Sequence, residues 1–337
     1  MTTTDYRFFG RTGVKVSPLT LGCMTFGWRT ELPESIRIID RALEAGINII
    51  DTANVYSRGR SEEFTGEALK KNGRRGEVFL CTKVHGGMHD TDPNMQGNSR
   101  RHIIEQCEAS LRRLQTDYID LYQIHRPQPE VAIDETLRAL DDLVRAGKVR
   151  YIGSTTFAGW QVVESLWASK ELGLNRFVSE QPPYNLLDRR IENELVPVAK
   201  TFGLALIPWS PIAGGLLSGK YHRDQPNPTD SRYTTRDQFL SRRYIDRTFD
   251  VIEHLTVMAQ EKSVPLSQFA LAWTVHQPTI TSPIIGPRTL DQLEDNLRAL
   301  EVNFTPDDFK RIDAIIAPGS YVSPFYEANF GASQHRW

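Results

Sequence analysis

Short apolar segments alternate with amphipathic helical segments over most of this 337-residue chain. The apolar segments are four to six residues long and mostly apolar throughout, which is typical of parallel strands covered on both faces. They are residues 19–22, 47–51, 78–83, 119–122, 149–153, 177–181, 205–209 and 281–285. The predicted helices, several of which end at a glycine suited to a C-cap, are residues 35–45, 61–71, 101–114, 133–146, 160–172, 191–202, 248–262, 267–276, 289–300 and 306–316.

Eight strand–helix units in succession predict an α/β fold with a parallel sheet that closes on itself as a (β/α)8 TIM barrel. A hairpin over residues 6–16 precedes the barrel, and extra C-terminal helices follow. A doubly wound open sheet is the alternative, and it is disfavoured because no G-x-G-x-x-G follows the first strand. No linker rich in proline, glycine and serine interrupts the pattern, so we expect one domain over residues 1–337.

The composition excludes several classes of partner. A formal net charge of −2 gives no basic footprint for nucleic acid or for an anionic membrane. No apolar run approaches the ~20 residues that span a bilayer, and residues 1–6 are polar rather than signal-like. Cys23, Cys81 and Cys107 are odd in number and lack metal-ligand spacing, which favours reduced thiols in the cytoplasm. The composition predicts neither a metal site nor an oligomeric state.

Four polar residues follow or end neighbouring predicted strands. Asp51 ends the second strand, Tyr56 lies in the loop after it, Lys83 ends the third strand, and His125 follows the fourth. Each has an ordinary explanation when taken alone, such as a turn cap, a packed ring, a solvated strand end or a structural histidine. Because the residues after barrel strands gather at one mouth, the four together predict a site.

The chemistry of these four side chains suggests proton transfer. A phenol ordinarily has a pKa near ~10 and gives up its proton reluctantly at neutral pH. A nearby ammonium stabilises the phenolate, so Lys83, held by an ion pair with Asp51, is expected to assist Tyr56. His125 is expected to orient a substrate oxygen. Such a group suits proton donation to a carbonyl oxygen under reduction, and a nicotinamide cofactor is implied because none of the four residues supplies hydride.

The segments around these residues resemble the aldo-keto reductase family over nearly the whole chain. The family's catalytic tetrad matches Asp51 and Tyr56 in Asp-Thr-Ala-Asn-Val-Tyr, Lys83 in Cys-Thr-Lys, and His125 in Tyr-Gln-Ile-His-Arg-Pro. Residues 21–27, 110–121 and 147–154 are similar to the family as well. The resemblance implies a barrel that binds NADPH across its mouth without a Rossmann fold. It also implies reversible reduction of a small aldehyde or ketone, with Tyr56 as the proton donor.

The resemblance assigns further residues to the nicotinamide end of the cofactor. Trp209 matches an aromatic ring that stacks on the nicotinamide and orients it. Gln181 matches a residue that hydrogen-bonds the carboxamide. Thr155 and Thr156 match a pair that is commonly Ser-Asn, and their hydroxyl groups can still donate and accept hydrogen bonds. The remaining contacts expected in this region are Met24 and Asp51.

Residues 209–221 resemble the family's loop over the pyrophosphate, where glycines let backbone N–H groups approach phosphate oxygens. A mobile glycine-rich loop is the alternative interpretation. The contacts expected from this loop are Ser210, Pro211, Ile212, Gly214, Gly215, Gly219 and Lys220.

Residues 286–296 match the family's adenosine-phosphate segment and open the last barrel helix, whose N-terminus favours anions. Gly286 begins the segment, and Arg288 is the expected partner of a 2′-phosphate because guanidinium matches phosphate geometry. Asn296 is expected to reach the adenine. Gln292 stands where many family members carry an arginine, so NADPH is expected while NADH stays open.

The substrate pocket is expected to involve the loops and the aromatic tail. Tyr56 and His125 would contact the carbonyl. The aromatic residues either line an apolar pocket or pack the tail onto the barrel; they are Trp28, Tyr184, Tyr321, Phe325, Tyr326 and Phe330.

Two other functions fit parts of the sequence. Arg126-Pro127 and residues 209–221 also resemble the β subunits of potassium channels, in which the barrel would be a cofactor-bound regulatory module on a membrane partner. The complete tetrad favours the enzyme. A metal-dependent barrel hydrolase would need ligands such as Asp51, His85, His89 and His125, and it is disfavoured because no H-x-H pair ends the first strand.

Overall fold

The chain begins with an antiparallel hairpin, β1 (Arg7–Phe8) and β2 (Lys15–Val16), in the computed structural model, which describes residues 1–223, 225–226, 228–229 and 245–322. Eight parallel strands follow and form one sheet. They are β3 (Thr20–Gly22), β4 (Ile49–Asp51), β5 (Phe79–Val84), β6 (Ile119–Ile124), β7 (Val149–Thr155), β8 (Phe177–Gln181), β9 (Ala205–Leu206) and β10 (Ile284–Ile285). In the sheet β10 lies beside β3, and the order then follows the chain to β9.

The two ends of this strand order meet through residues 280–285. Leu206 forms a parallel bridge with Ile280, and the Ile284 N–H donates to the Pro208 carbonyl at 2.8 Å. Ile284 also pairs with Thr20 of β3, so the same segment contacts the first and the seventh barrel strands. The predicted (β/α)8 barrel is therefore confirmed.

The hairpin covers the end of the barrel where the strands begin. The Arg11 N–H donates to the Gly203 carbonyl at 2.9 Å, just ahead of β9. The rings of Phe9 and Phe79 lie 4.9 Å apart between centroids, and Phe79 is the first residue of β5. Phe9 is fully buried with inward-facing strand residues such as Leu121. The loops that carry the polar residues lie at the opposite mouth of the barrel, where the strands end.

The helices lie on the outside of the sheet, where their buried apolar faces and the outward strand residues form the main core. Ser99 caps α3 by accepting from the His102 N–H, and Thr305 caps α10. The helices are α1 (Leu32–Glu44), α2 (Arg60–Asn72), α3 (Arg100–Leu114), α4 (Ile133–Arg145), α5 (Gly159–Leu172), α6 (Leu195–Phe202), α7 (Asp246–Glu261), α8 (Leu266–His276), α9 (Leu290–Arg298) and α10 (Pro306–Ile315).

Several element bounds differ from the sequence expectation, and the following three are examples. The helix expected from residue 35 begins at Leu32, because Pro33 is compatible with a first helical turn. The helix expected from residue 191 begins at Leu195, after a separate 3-10 turn at Arg190–Glu192. The strand expected over residues 205–209 ends at Leu206, although the Trp209 N–H still donates to the Pro182 carbonyl at 2.9 Å and holds the chain beside β8.

Residues 230–244 and the tail residues Phe325, Tyr326 and Phe330 lie outside the described residues. Within the described part of the chain, every helix is too short or too polar to cross a bilayer.

Candidate active site

A buried ion pair joins the ends of two neighbouring strands at the mouth. Lys83 of β5 is 0% exposed, and its Nζ donates to Asp51 Oδ1 at 2.5 Å and to the Thr52 carbonyl at 2.8 Å. Asp51, the last residue of β4, is 2% exposed. Burial alone would lower the pKa of Lys83, but the Asp51 carboxylate and the Tyr56 phenol outweigh it and raise that pKa. Lys83 is therefore a fixed ammonium at neutral pH.

The second oxygen of the carboxylate is held by two amide side chains. Gln123 Nε2 donates to Asp51 Oδ2 at 3.1 Å, and Gln181 Nε2 donates to the same oxygen at 3.0 Å. Gln123 lies on β6 and is fully buried. Gln123 is not among the residues predicted from the sequence, although a polar residue two positions before His125 lies on the same face of the strand as His125.

Tyr56 lies over the ion pair. Its Oη is 3.4 Å from Lys83 Nζ, and Lys83 Nζ is 5.0 Å from the centroid of its ring. The ring is half-buried, so the hydroxyl group sits between a buried ammonium and the open mouth. The next two residues, Ser57 and Arg58, have left-handed φ values of 50° and 54°, and they turn the chain sharply into α2.

His125 completes the group of four. Its ring meets the Tyr56 ring edge-on, with 5.6 Å between centroids, and its backbone N–H donates to the Val84 carbonyl at 2.9 Å. Burial and the nearby positive charges of Arg126 and Lys83 hold the pKa of His125 well below its usual range. The imidazole is therefore neutral at physiological pH and can donate one N–H to an oxygen.

Buried histidines near this mouth make stability depend on pH. Burial, with the His85 charge, lowers the pKa of His102 to about 4, so the folded state binds fewer protons than the unfolded chain below pH ~6.5. The stability that the neutral His102 ring contributes is therefore fully present above pH ~6.5 and is lost as the pH falls toward 4. We expect the free energy of unfolding in urea to fall by about 1–2 kcal/mol more between pH 6.5 and 5 in the wild type than in His102→Gln. Equal pH dependence in both proteins would contradict this.

The predicted threonine pair lies beside Gln181, where β7 meets β8. Thr155 pairs with Gln181 in the sheet, and the Thr156 N–H donates to the Gln181 carbonyl at 3.2 Å. Arg126 Nη1 donates to Thr156 Oγ1 at 2.9 Å, and the Thr155 hydroxyl donates to the His125 carbonyl. Thr156 has a φ of +62°, which is rare for a β-branched residue and is held here by these contacts.

Trp209 and the following loop lie on the next part of the rim. Trp209 is half-buried and pairs with Pro183 beyond the end of β8. Left-handed φ values occur at Ser210, Ala213, Gly214 and Gly215, so successive peptide units change direction within one short segment. Pro211 and Ile212 lie inside this turn, and Gly219 and Lys220 follow it on the exposed side. Within this turn the Ala213 and Gly215 N–H groups donate to the Ser210 and Ile212 carbonyls, each at 2.9 Å.

Residues 286–296, which are predicted to contact an adenosine phosphate, adjoin the loop after the first barrel strand. A Cβ placed on Gly286 would lie 3.8 Å from Met24 Cε, so these two predicted contacts are neighbours. The Arg288 N–H donates to Gln292 Oε1 at 2.8 Å, which ties the segment to the first turn of α9. Thr289 caps that helix by accepting from the Gln292 N–H. Asn296 is half-buried on the same helix.

The aromatic residues expected near the substrate have different surroundings. Trp28 is 45% exposed, with the Arg29 guanidinium 4.6 Å above its ring. Tyr184 is only 1% exposed; its hydroxyl donates to Glu192 at 2.5 Å and its ring packs 5.2 Å from that of Trp273. These contacts favour the packing alternative for Tyr184. Tyr321 is exposed against Arg190.

The four possible hydrolase ligands do not meet. Among the residues that the structure describes, no group of three or more His, Cys, Asp or Glu side chains is arranged to hold a metal ion. His85 instead faces Asn98, with 2.9 Å between Nδ1 and Oδ1.

The chain is similar to known proteins over most of its length. Residues 18–317 match the model of the aldo/keto reductase family. An uncharacterized oxidoreductase of Bacillus subtilis, YrpG, is 37% identical over 96% of this chain and 99% of its own length. A probable voltage-gated potassium channel subunit beta of Oryza sativa is 36% identical over 93% of this chain and 96% of its own. Versiconal hemiacetal acetate reductase of Aspergillus parasiticus is 34% identical over 93% and 97%, respectively.

The barrel, the polar group at its mouth and the match over most of the chain lead to one family. This chain belongs to the aldo/keto reductase family.

Proposed function

We propose that the protein is an NADPH-dependent reductase that converts a small aldehyde or ketone to its alcohol, in a reversible reaction. The observation that carries this proposal is the placement of the Tyr56 hydroxyl 3.4 Å from the buried Lys83 ammonium, which is itself fixed by Asp51 at 2.5 Å. His125 stands edge-on to the same phenol ring. Tyr56 is suited to be the proton donor, Lys83 and Asp51 support it, and His125 is suited to orient a carbonyl oxygen.

Each of the four side chains has a separate role in the proposed reaction. Tyr56 holds the proton that passes to the carbonyl oxygen, and the Lys83 ammonium stabilises the phenolate that remains. Asp51 keeps Lys83 in place and balances its charge within a buried site. His125, being neutral, donates an N–H to the carbonyl oxygen and orients it. When bound, the reduced nicotinamide supplies the hydride that none of these side chains can supply.

The residues around the mouth suit a phosphorylated dinucleotide. Trp209 would stack on the nicotinamide ring, and the turn from Ser210 to Gly215, in which four residues have left-handed φ values, would lie against the pyrophosphate. Lys220 is exposed beyond that segment, and Arg288 precedes the N-terminus of α9. We assign the 2′-phosphate to Arg288 and the adenine side to Gln292 and Asn296.

Replacing Arg288 by leucine is expected to weaken NADPH binding by about tenfold or more, because a charge-assisted contact to the 2′-phosphate is lost. NADH, which lacks that phosphate, is expected to bind with nearly unchanged affinity. The dissociation constants of both cofactors would be measured by fluorescence titration, with Arg37→Leu as a control on the exposed face of α1. A parallel loss of affinity for both cofactors would remove Arg288 from the 2′-phosphate site.

The proposed reaction is tested by measuring NADPH consumption and alcohol formation with a panel of aliphatic, aromatic and sugar-like carbonyl compounds. The relative that is named versiconal hemiacetal acetate reductase supports reduction as the direction to test first. We expect stoichiometric formation of alcohol with at least one class of carbonyl compound. The class of carbonyl compound that is reduced would then define the substrate specificity.

A cofactor-binding regulatory subunit is the second candidate. It is favoured by the 36% identity to the probable voltage-gated potassium channel subunit beta of Oryza sativa, and by a similar relative in Arabidopsis thaliana at 35%. In that case NADPH would bind tightly, and no carbonyl compound on the panel would be turned over. The presence of all four tetrad side chains in one place supports the enzyme instead.

A further inference from the structure

We infer that Gln123 is a positioning residue that, together with Asp51, fixes which atom of the Gln181 amide is offered to a bound cofactor. Gln123 Oε1 accepts from Gln181 Nε2 at 3.2 Å, while Gln123 Nε2 donates to Asp51 Oδ2 at 3.1 Å. The inference rests on the proposed binding of NADPH, and it concerns the polarity of the carboxamide site rather than its existence.

The orientation of both amides follows from the carboxylate. Ionised Asp51 only accepts hydrogen bonds, and its Oδ1 is already occupied by Lys83. Any amide that contacts Oδ2 must therefore present its NH₂ group, which sets the orientation of Gln123 and Gln181 alike. A flipped amide on either residue would bring its carbonyl oxygen against the carboxylate and repel it.

The NH₂ group of Gln181 has no hydrogen left for a ligand. One N–H donates to Asp51 Oδ2 at 3.0 Å, and the other donates to Gln123 Oε1 at 3.2 Å. Gln181 is 3% exposed, so the group that it can offer to the mouth is its carbonyl oxygen, which is an acceptor. Without Gln123, one of the two N–H groups would be released and could turn toward the ligand.

Thr156 supplies the complementary group. Its oxygen accepts from Arg126 at 2.9 Å, which leaves the hydroxyl hydrogen to donate. A donor at Thr156 beside an acceptor at Gln181 matches the C=O and N–H₂ ends of a primary carboxamide. A ligand whose NH₂ is replaced by a methyl group would leave the Gln181 oxygen without a donor in a dry site, which is costly.

The first test uses the wild-type protein and three cofactors: NADPH, its thionicotinamide analogue, which keeps the NH₂ group, and its 3-acetylpyridine analogue, which has a methyl group instead. Dissociation constants are measured by titration calorimetry without any carbonyl substrate. We expect the acetylpyridine analogue to bind about tenfold more weakly than NADPH and the thio analogue within about threefold of it. Equal binding of NADPH and the acetylpyridine analogue, or a larger loss with the thio analogue, would overturn the inference.

The second test repeats the titrations with Gln123→Leu and with Gln106→Leu. Gln106 is another buried glutamine; its Oε1 accepts from Asn54 at 3.3 Å, so its loss mimics a buried amide deletion away from Asp51. We expect the ratio of the two dissociation constants to fall to about threefold or less in Gln123→Leu and to stay near tenfold in Gln106→Leu. An unchanged ratio in Gln123→Leu would overturn the role of Gln123.

Three further results separate a failure of the inference from a failure of the proposed function. If Gln123→Leu does not fold, Gln123→Met, which preserves the length of the side chain, is titrated instead, and the wild-type ratio still decides the polarity of Gln181. If the wild type binds none of the three cofactors, the proposed function fails. If NADPH binds but the analogues are not distinguished, only the inference about Gln123 fails.

Discussion

Replacing Tyr56 by phenylalanine is expected to lower the rate of carbonyl reduction by about a thousandfold, because a positioned proton donor contributes about 10²–10⁴-fold to such a step. The ring and its contacts with Lys83 and His125 are retained, since the variant lacks only the hydroxyl group. The affinity for NADPH is therefore expected to stay within about threefold of the wild type. Stopped-flow single-turnover rates and fluorescence titrations measure the two quantities separately.

The matched control is Tyr122→Phe. Tyr122 is fully buried in β6, and its hydroxyl donates to the Ile103 carbonyl at 3.3 Å, on the side of the strand that faces α3. Removing this hydroxyl changes the core by the same single atom but leaves the mouth intact. Unchanged turnover in Tyr56→Phe, or equal losses in both variants, would refute the assignment of Tyr56 as the proton donor.

Replacing Lys83 by methionine is expected to lower both the activity and the stability. Removal of one partner of a buried ion pair leaves the other charge uncompensated, and it costs about 3–5 kcal/mol in the free energy of unfolding. Asp51 is 2% exposed, so water cannot replace the ammonium. Turnover is expected to fall by at least about a hundredfold, because the phenolate of Tyr56 loses its stabilising charge. Urea unfolding and single-turnover kinetics measure the two effects.

The double variant Asp51→Asn with Lys83→Met separates stability from chemistry. Both charges are removed together, and the asparagine oxygen can still accept from Gln123 or Gln181. Most of the lost stability is expected to return, whereas turnover is expected to stay low. Recovery of turnover along with stability would show that Lys83 matters only for folding.

The barrel could be predicted from sequence because its strands are short apolar runs with regular helical spacing. Asp51 and Lys83 could be placed at the mouth for the same reason, since any residue at the end of a barrel strand lies on one rim. The ends of helices and strands were harder to predict near proline residues. Pro33 lies inside the first turn of α1, and β9 stops before Pro208 even though backbone pairing continues beyond it.

The hydrogen bonds of Gln123 and Gln181 with the ion pair could not be predicted from the sequence. Gln123 shares its strand with a second polar residue, Asp120, and its partners, Asp51 and Gln181, lie 72 and 58 residues away. Only the closed barrel brings the three together. The left-handed backbone of Thr156 also has no local signal, because β-branched residues avoid it and tertiary contacts alone hold it there. Tyr184 was ambiguous in sequence because its hydroxyl partner, Glu192, follows in an irregular turn.

The most direct measurement of the central claim follows an isotope. Wild-type protein is mixed with NADPH that carries deuterium at the transferred position and with a carbonyl compound that the panel identifies, and the alcohol is analysed by mass spectrometry and NMR. We predict one deuterium per alcohol on the carbinol carbon in the wild type, and a rate of transfer about a thousandfold lower in Tyr56→Phe. Tight binding of labelled NADPH with no label in any product, or label transfer at the same rate in both proteins, would contradict the account.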